Sequence, residues 1–264
     1  MLGWSINLFR VFGIQLAIHG SFLLLLAYYA YDGWTLGGLP GVVWSLALIV
    51  LFFVCVVLHE LGHSLTARRY GVNVPRILLM PIGGMAEFDR IPRKPSQELL
   101  ITVAGPAVNF VLAAILLPLA WRGFFSDAEV PEFSLMNLVI QLVVANLFMG
   151  TFNLLPVFPM DGGRIFRALL AMKLPYLRAT YWAVMVGKIL ALVFAAVAAF
   201  YFNRPITSVL FLFIFWAGNA EYKYTLRRDE EERYWAEMSR RVQPIEPSVI
   251  DPQVPPLLEQ SGSN

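Results

Sequence analysis

Two histidines and a glutamate form the most informative chemical pattern in this sequence. The segment HELGH places His59, Glu60 and His63 near the end of a long apolar run. Residues four apart lie on one face of an α-helix, so His59 and His63 can bind the same metal ion. Glu60, next to the first histidine, would point toward a water molecule at that metal. This HExxH spacing is typical of hydrolytic zinc centres.

A catalytic zinc ion usually has three protein ligands, and the third is expected far along the chain. The segment NLLPVFPMDGGR, residues 153–164, offers Asp161 for this role. Its two prolines interrupt a helix, and the two glycines after Asp161 let the backbone turn freely. Irregular backbone at membrane depth is tolerated where protein or water covers it, as in an active-site cavity. His19, the remaining histidine, is interpreted as a packing residue or a residue that supports a ligand.

The histidine pair also has a non-catalytic interpretation. Two histidines on a membrane-spanning helix can hydrogen-bond to neighbouring helices or line a proton path. A transporter or channel built on such residues predicts no tightly held zinc, and it leaves the position of Glu60 unexplained. A third ligand favours the metal site over this alternative.

The elements that must position these residues are membrane-spanning helices. Of the 264 residues, 58% are hydrophobic and 14% are charged, and the mean hydropathy is +0.64. These values lie outside the range of ordinary soluble proteins. The net charge of +2 does not indicate a nucleic acid partner. We predict an all-α polytopic membrane protein with six spans, at about residues 12–31, 40–67, 97–121, 135–155, 179–202 and 205–220.

Lysine and arginine are unevenly distributed between the predicted spans. They are concentrated after the second and fourth spans, at Arg68, Arg69, Arg76, Arg90, Arg93, Lys94, Arg164, Arg167, Lys173 and Arg178. This excess stays on the cytoplasmic side of a cell (inner) membrane, so both termini are predicted to be cytoplasmic. With Arg68 at the surface, His59 lies about 13 Å and His63 about 7 Å inside the bilayer, at 1.5 Å of helix rise per residue.

Three further segments complete the predicted organisation. RILLMPIGGMAEF, residues 76–88, predicts a small membrane-associated β-hairpin between the second and third spans. This hairpin would pair with an unwound substrate, seal the site, or do both. Residues 221–241 combine strong helix formers with mixed charges and predict a cytoplasmic helix, whereas the proline-rich residues 242–264 predict a disordered tail. The intramembrane domain is therefore expected to cover residues 1–220.

HExxH on the second span, together with Asn-x-x-Pro-x-x-Pro-x-Asp-Gly after the fourth, resembles the site-2 protease family of intramembrane zinc metalloproteases, peptidase family M50. The segments PIGGMAEF and AGPAVNF fit the same family, and specifically its six-span bacterial branch that processes sporulation factors. The resemblance covers about residues 8–225. The chain after the last predicted span is expected to be too short for the C-terminal regulatory domain that some relatives carry.

The resemblance implies that His59, His63 and Asp161 bind one zinc ion and that Glu60 is the catalytic base. The implied reaction hydrolyses a peptide bond within or next to a transmembrane segment of a membrane protein. Zinc would acidify the attacking water and Glu60 would take its proton. Asn153 would donate a hydrogen bond to the oxyanion or the substrate backbone, unless it only ends a helix. A non-catalytic relative that binds membrane proteins would lack a ligand or the base, and all four residues are present.

Four other residues within the predicted spans receive structural interpretations. Cys55, the single cysteine, excludes an internal disulfide framework and is interpreted as a small buried hydrophobe. Asn109 is interpreted as part of a close helix contact, and Asn146 as a helix–helix hydrogen bond. Lys188 is expected to extend its amine toward the cytoplasmic surface.

Overall fold

The computed structural model of the protein describes residues 4–89, 92–125, 130–203 and 205–241. Within these ranges the chain forms four short strands and a series of long helices. The elements are β1 (Ser5–Val11), β2 (Ile14–His19), α1 (Ser21–Arg69), β3 (Arg76–Met80), β4 (Gly83–Glu87), α2 (Pro95–Phe125), α3 (Leu135–Asn153), α4 (Asp161–Ala171), α5 (Tyr176–Ala196), which continues as a π-helical turn over Val197–Tyr201, and α6 (Pro205–Arg241).

Helix α1 consists of two arms that fold back on each other. The helix spans 49 residues, and its backbone is non-helical at Gly37 and Gly38. Gly38 has a φ of +60°, a conformation that favours glycine. Phe22 on the first arm contacts Phe53 on the second edge-on, with 4.6 Å between the ring centroids. Gly33 lies so close to Gly41 that an added Cβ would overlap the Gly41 carbonyl. The two arms therefore run antiparallel.

The prediction of a helix over residues 12–31 is wrong in its first half. Strand β2 occupies Ile14–His19, and the helix begins only at Ser21. Strand β2 lies between two other strands, and Ile14, Leu16 and Ala17 are buried. An apolar run of this kind has no helix-specific period, so it cannot be distinguished from a helix by pattern alone.

The predicted hairpin over residues 76–88 is one half of a larger sheet. Strands β3 and β4 pair antiparallel, with Leu79 opposite Gly84. Strand β2 pairs parallel to β3, and β1 pairs antiparallel to β2, which gives the strand order β1-β2-β3-β4. The all-α prediction is therefore corrected to a mainly helical fold with a four-stranded sheet. The parallel pairing of β2 with β3 crosses the whole of α1, so neither strand has a local sequence signal for its partner.

The sheet packs against the second arm of α1. Their shared core is apolar and includes Ile14, Leu16, Phe53, Val56, Leu61, Val74, Ile77 and Leu79. The turn between β1 and β2 is made by Phe12 and Gly13, which both have positive φ, 49° and 76°. Two-residue hairpin turns require this conformation. The guanidinium of Arg68, at the end of α1, donates a hydrogen bond to the Phe12 carbonyl and fixes the turn to the helix.

Four helices among the described residues are long and apolar enough to cross a membrane. They cover Ser21–Arg69, Pro95–Trp121, Leu135–Asn153 and Tyr176–Tyr201. Helix α2 packs against α1, α3 and α4, and α4 also packs against α5. The chain divides into two compact units, one ending at Tyr222 and one beginning at Lys223. The first unit contains the sheet and all four apolar helices.

Candidate functional site

Three ligand-type side chains converge between α1 and the first turn of α4. The Nε2 atoms of His59 and His63 lie 3.1 Å apart, and each lies 3.3 Å from Oδ2 of Asp161. Ligand atoms bound to one tetrahedral zinc ion at about 2.0 to 2.1 Å lie about 3.3 to 3.4 Å from one another. The three atoms therefore form a triangle of the size that one zinc ion requires. Within the described part of the chain these residues could together hold a metal ion.

One oxygen of the Asp161 carboxylate accepts no hydrogen bond from the described residues. Its Oδ2 atom is buried, and no hydrogen-bond donor reaches it within the described residues. Burying an unpaired carboxylate oxygen is costly, because the group loses its hydration without compensation. The Nε2 atoms of His59 and His63 lie 3.3 Å from Oδ2, and each can direct a lone pair to the same ion. A divalent cation at the centre of the triangle satisfies all three atoms, so the residues fit the metal.

Both imidazole rings are held by hydrogen bonds at their other nitrogen. Nδ1 of His59 donates to Oδ1 of Asn109 at 2.6 Å, and Nδ1 of His63 donates to the backbone carbonyl of Ile101 at 2.8 Å. With the proton on Nδ1, the Nε2 lone pair is free for a metal. Partners of this kind fix the tautomer and the ring orientation of metal-binding histidines. Both acceptors belong to α2.

Asn109 is a site residue that the sequence interpretation did not include. Its Nδ2 donates to Oδ1 of Asn146 on α3 at 2.9 Å. Asn109 therefore contacts His59 directly, and Asn146 holds the side chain of Asn109 in place. Asn146 in turn donates to the Leu142 carbonyl at 2.8 Å and to Cys55 Sγ at 3.3 Å. Asn146 thus makes the interhelical hydrogen bond expected of it. A sequence signal existed for Asn109, because it lies within AGPAVNF, but its partner is 50 residues away.

Asn109→Ala is expected to lower zinc affinity by about tenfold to a hundredfold, because His59 loses the acceptor that orients its ring. Asn146→Ala is expected to have a smaller effect, since it acts on His59 only through Asn109. Competition with a chromophoric chelator, using purified protein in detergent, measures both variants. Parent-like zinc affinity of Asn109→Ala would show that the hydrogen bond does not orient the ligand.

Two glycines allow α2 to approach the histidine helix closely. A Cβ at Gly62 would lie 2.7 Å from the Ala104 carbonyl oxygen and 2.9 Å from Val108 Cγ2. A Cβ at Gly105 would overlap the imidazole of His63, including its Nε2. The small residues permit helix contact at backbone distance, as is common for helices in membranes. The contact places the Ile101 carbonyl and Asn109 within reach of the two rings.

Gly105→Ala is expected to destabilise the fold by about 1–3 kcal/mol, because the added methyl group enters a filled space. It is also expected to lower zinc content, since the methyl group contacts the ligand nitrogen of His63. Gly218→Ala in α6 is the matched control, because its Cβ would meet only Val184 Cγ1 at an ordinary 3.7 Å. Thermal unfolding and metal analysis of both variants test this. Equal behaviour of the two variants would contradict the close contact.

The predicted helix break before Asp161 is present. Helix α3 ends at Asn153 and α4 begins at Asp161, with irregular backbone over residues 154–160. A Cβ at Gly162 would overlap the carbonyl oxygens of Leu154 and Leu155. The first turn of α4 therefore packs directly on the end of α3, and only glycine fits. This arrangement brings Asp161 to the histidine pair, about 100 positions earlier in the chain.

Glu60 and Asn153 lie on elements that border the metal triangle. Glu60 is half-buried next to His59, and its side chain packs against Gly84 of β4, where an added Cβ would lie 2.6 Å from Glu60 Cγ. Asn153 is half-buried at the last position of α3. His19 is not in the cluster, because its Nδ1 contacts the Ser21 hydroxyl at 2.7 Å. The Lys188 amine lies 5.3 Å from the centre of the Phe215 ring.

The chain is similar over most of its length to known proteins and to a solved structure. A zinc metalloprotease of Methanocaldococcus jannaschii is 42% identical over 196 residues, which are 73% of this chain and 53% of that protein. Rip3 of Mycobacterium tuberculosis is 32% identical over 242 residues, which are 87% of this chain and 59% of that protein. The chain thus spans little more than half the length of these curated relatives. The solved structure of the site-2 protease from M. jannaschii matches with a TM-score of 0.57 and 38% identity, over 83% of this chain and 95% of that one.

The family comparison covers the metal triangle itself. The model of peptidase family M50 matches residues 47–126 and 123–194, more than half of the 264 residues. His59, His63 and Asp161 all lie within the matched segments. The match to a site-2 protease structure extends the agreement from sequence to fold. The chain belongs to peptidase family M50.

Proposed function

We propose that the protein is an intramembrane zinc metalloprotease that hydrolyses a peptide bond within or next to a transmembrane segment of a membrane protein. The observation that carries this proposal is the triangle of His59, His63 and Asp161, in which the two buried histidines lie on a helix apolar enough to cross a membrane. Membership of the M50 family and the zinc metalloproteases among the relatives support it.

His59, His63 and Asp161 would hold one zinc ion. When bound, zinc supplies acidification of a water molecule and polarisation of the scissile carbonyl. The protein's own contribution at this point is orientation. Asn109 and the Ile101 carbonyl hold the two rings with Nε2 directed inward, and the Gly162 turn holds the carboxylate opposite them.

Glu60 is the proposed general base. It follows His59 on α1, it is half-buried, and it lies against the strand that borders the site. Its carboxylate would take a proton from the attacking water and pass it to the leaving nitrogen. Gly84 supports this role sterically, because any larger residue there would displace the Glu60 side chain.

Asn153 is the proposed hydrogen-bond donor to the substrate. It is the last residue of α3, where the backbone leaves the helix and continues toward Asp161. Its amide would donate to the oxyanion or to the substrate backbone. Alternatively, Asn153 only ends the helix. Activity measurements on Asn153→Ala distinguish the two roles, because only the first predicts a loss of cleavage in a folded variant.

Strand β4 is the proposed docking edge for an unwound substrate. It is the outer strand of the sheet on the side of Glu60, so one row of its backbone groups has no strand partner among the residues that the structure describes. A helical substrate must unwind before its peptide bond can be attacked, and pairing with an edge strand would hold it extended. The other role proposed for this hairpin is to seal the site.

The proposed topology has six spans, with both termini on the cytoplasmic side of the cell (inner) membrane. The antiparallel arms of α1 support counting that helix twice, and the uncharged residues 205–220 of α6 would form the last span. Basic connections after the second and fourth spans support the orientation. The charged residues 221–241 would be cytoplasmic. The assignment to the branch that processes sporulation factors belongs to this proposal.

Comparative membrane proteomics tests the proposed function. Cells that carry the active protein are compared with cells that carry Glu60→Gln. We expect at least one membrane-anchored protein to accumulate in the variant and a shortened form of it to appear only with the active protein. Identical membrane proteomes, under conditions where the protein is present and zinc-loaded, would contradict a proteolytic function.

A further inference from the structure

A second cluster of charged side chains is buried around Arg167, in the second half of α4. Arg167 is 1% exposed and Glu98 is 2% exposed. Nε and Nη2 of Arg167 both donate to Oε1 of Glu98, at 2.9 Å and 2.5 Å. Buried charges of this kind carry a large desolvation cost, and they contribute geometric specificity more reliably than stability. The metal chemistry described above does not use them.

Arg167 links α4 to three other helices. Its Nη1 donates to Oε1 of Glu221 in α6 at 2.7 Å. The guanidinium carbon lies 5.1 Å from the centre of the Tyr176 ring at the start of α5 and 5.2 Å from that of Phe158 in the segment before α4. Burial alone would lower the pKa of Arg167, but the charges of Glu98 and Glu221 outweigh it and raise the pKa. The guanidinium is therefore charged and held from several directions.

Helix α2 is the common support of all three metal-ligand residues. Asn109 of α2 binds His59, and the Ile101 carbonyl of α2 binds His63. Glu98, one turn before Ile101, binds Arg167, which lies on the same short helix as Asp161. The histidines are thus attached to α2 directly, whereas Asp161 is attached to it through Arg167.

Asp161 needs such an attachment because of its position in the chain. Helix α4 has only 11 residues and follows the irregular backbone of residues 154–160. A short helix after a break can shift along its axis more easily than a helix continuous with a long span. Two donors of the planar Arg167 fork meet at one oxygen of Glu98 and a third reaches Glu221, so α4 is fastened to α2 and α6 at once, which a single hydrogen bond would not do.

We propose that Arg167 is a positioning residue that holds α4 against Glu98 and Glu221, and thereby keeps Asp161 in register with the His59 and His63 pair. The inference rests on the proposed zinc site. It concerns the affinity of that site rather than the chemistry at it, because Arg167 does not contact the metal-binding atoms or the substrate.

Arg167→Lys tests the proposal with the charge retained. The fork to Glu98 is lost, and zinc affinity is expected to fall by about tenfold to a hundredfold, as for other residues that orient metal ligands. Glu98→Ala removes the oxygen that accepts both hydrogen bonds, so it is the second variant and is expected to act in the same direction. Arg178→Lys, at an exposed position of α5, is the matched control. Chelator competition on the purified full chain in detergent gives the affinities, and thermal unfolding in excess chelator gives the stability of the metal-free protein.

A double variant separates positioning from stability. Glu98→Leu with Arg167→Met removes both fully buried charges together and leaves Glu221, whose side chain is 21% exposed, so the metal-free protein is expected to unfold near the parent temperature. Zinc affinity is expected to remain lowered, because the fork is still missing. Recovery of zinc affinity along with stability would overturn the proposal, as would parent-like affinity in a folded Arg167→Lys or Glu98→Ala. Absence of zinc binding in the parent would instead overturn the proposed function.

Discussion

Glu60→Gln is expected to reduce peptide cleavage by at least about a hundredfold while zinc content stays at the parent level. General-base catalysis contributes about 10²- to 10⁴-fold to such reactions, and glutamine cannot accept the proton. Zinc should remain bound, because the ligand triangle consists of His59, His63 and Asp161. Glutamine has the shape of glutamate, so its packing against Gly84 is retained and the fold should be unaffected.

The measurement combines cleavage of a membrane-anchored substrate in proteoliposomes with metal analysis of the same preparation. Glu230→Gln is the control, because Glu230 is an exposed carboxylate in α6 with no place in the site. Full cleavage by Glu60→Gln would exclude Glu60 as the base. Loss of zinc from this variant would mean that Glu60 supports the metal, and the activity loss could then not be assigned to proton transfer.

The three residues of the metal triangle could be proposed from the sequence, because each lies in a short segment with a recognisable local pattern. The spacing of His59 and His63 places both rings on one helix face whatever the surrounding fold. The prolines and glycines around Asp161 impose a helix break through their own backbone chemistry, and the structure has that break. What the sequence left open was whether the two segments meet, and the 3.3 Å distances answer that question.

Only half of the sheet could be predicted from the sequence, because one of its strand pairings joins segments that are far apart in the chain. Strands β3 and β4 are joined by a tight turn, so their pairing is a local event with a sequence signal. Strand β2 pairs with β3 across the whole of α1, and its apolar residues fit a spanning helix as well as a buried strand. The predicted first span therefore took in residues that belong to the sheet.

The residues that hold the ligands were the hardest to foresee. Asn109 lies within AGPAVNF and Arg167 within no motif, and neither segment indicates the partner, which lies 50 positions away for Asn109 and 69 for Arg167. In an apolar chain, a polar residue within a helix can serve packing, transport or a site equally well. Only the three-dimensional contacts assign them, because a hydrogen bond between distant segments leaves no periodic trace in the sequence.

Asp161→Ala is expected to remove most of the bound zinc and to abolish cleavage with it. Two histidines remain, and a catalytic zinc site ordinarily needs three protein ligands. Zinc binding stabilises the native state in proportion to its occupancy, so added zinc should raise the unfolding temperature of the parent but not of the variant. Asp161→Asn, which keeps the shape but loses the charge, should fall between the two. Metal analysis and thermal unfolding with and without zinc measure the three proteins.

The metal-free proteins provide a sharper comparison. In the parent, Oδ2 of Asp161 is buried without a hydrogen-bond donor among the described residues. In the metal-free parent a histidine that takes up a proton at Nε2 can pair with this oxygen at 3.3 Å, which offsets the desolvation cost of the carboxylate, so metal-free Asp161→Ala should differ little in stability from the metal-free parent. Asp89→Ala, at an exposed position, should change neither zinc content nor stability. An unchanged zinc content in Asp161→Ala would remove Asp161 from the ligands, whereas a large loss of metal-free stability would assign its carboxylate to the fold instead of the metal.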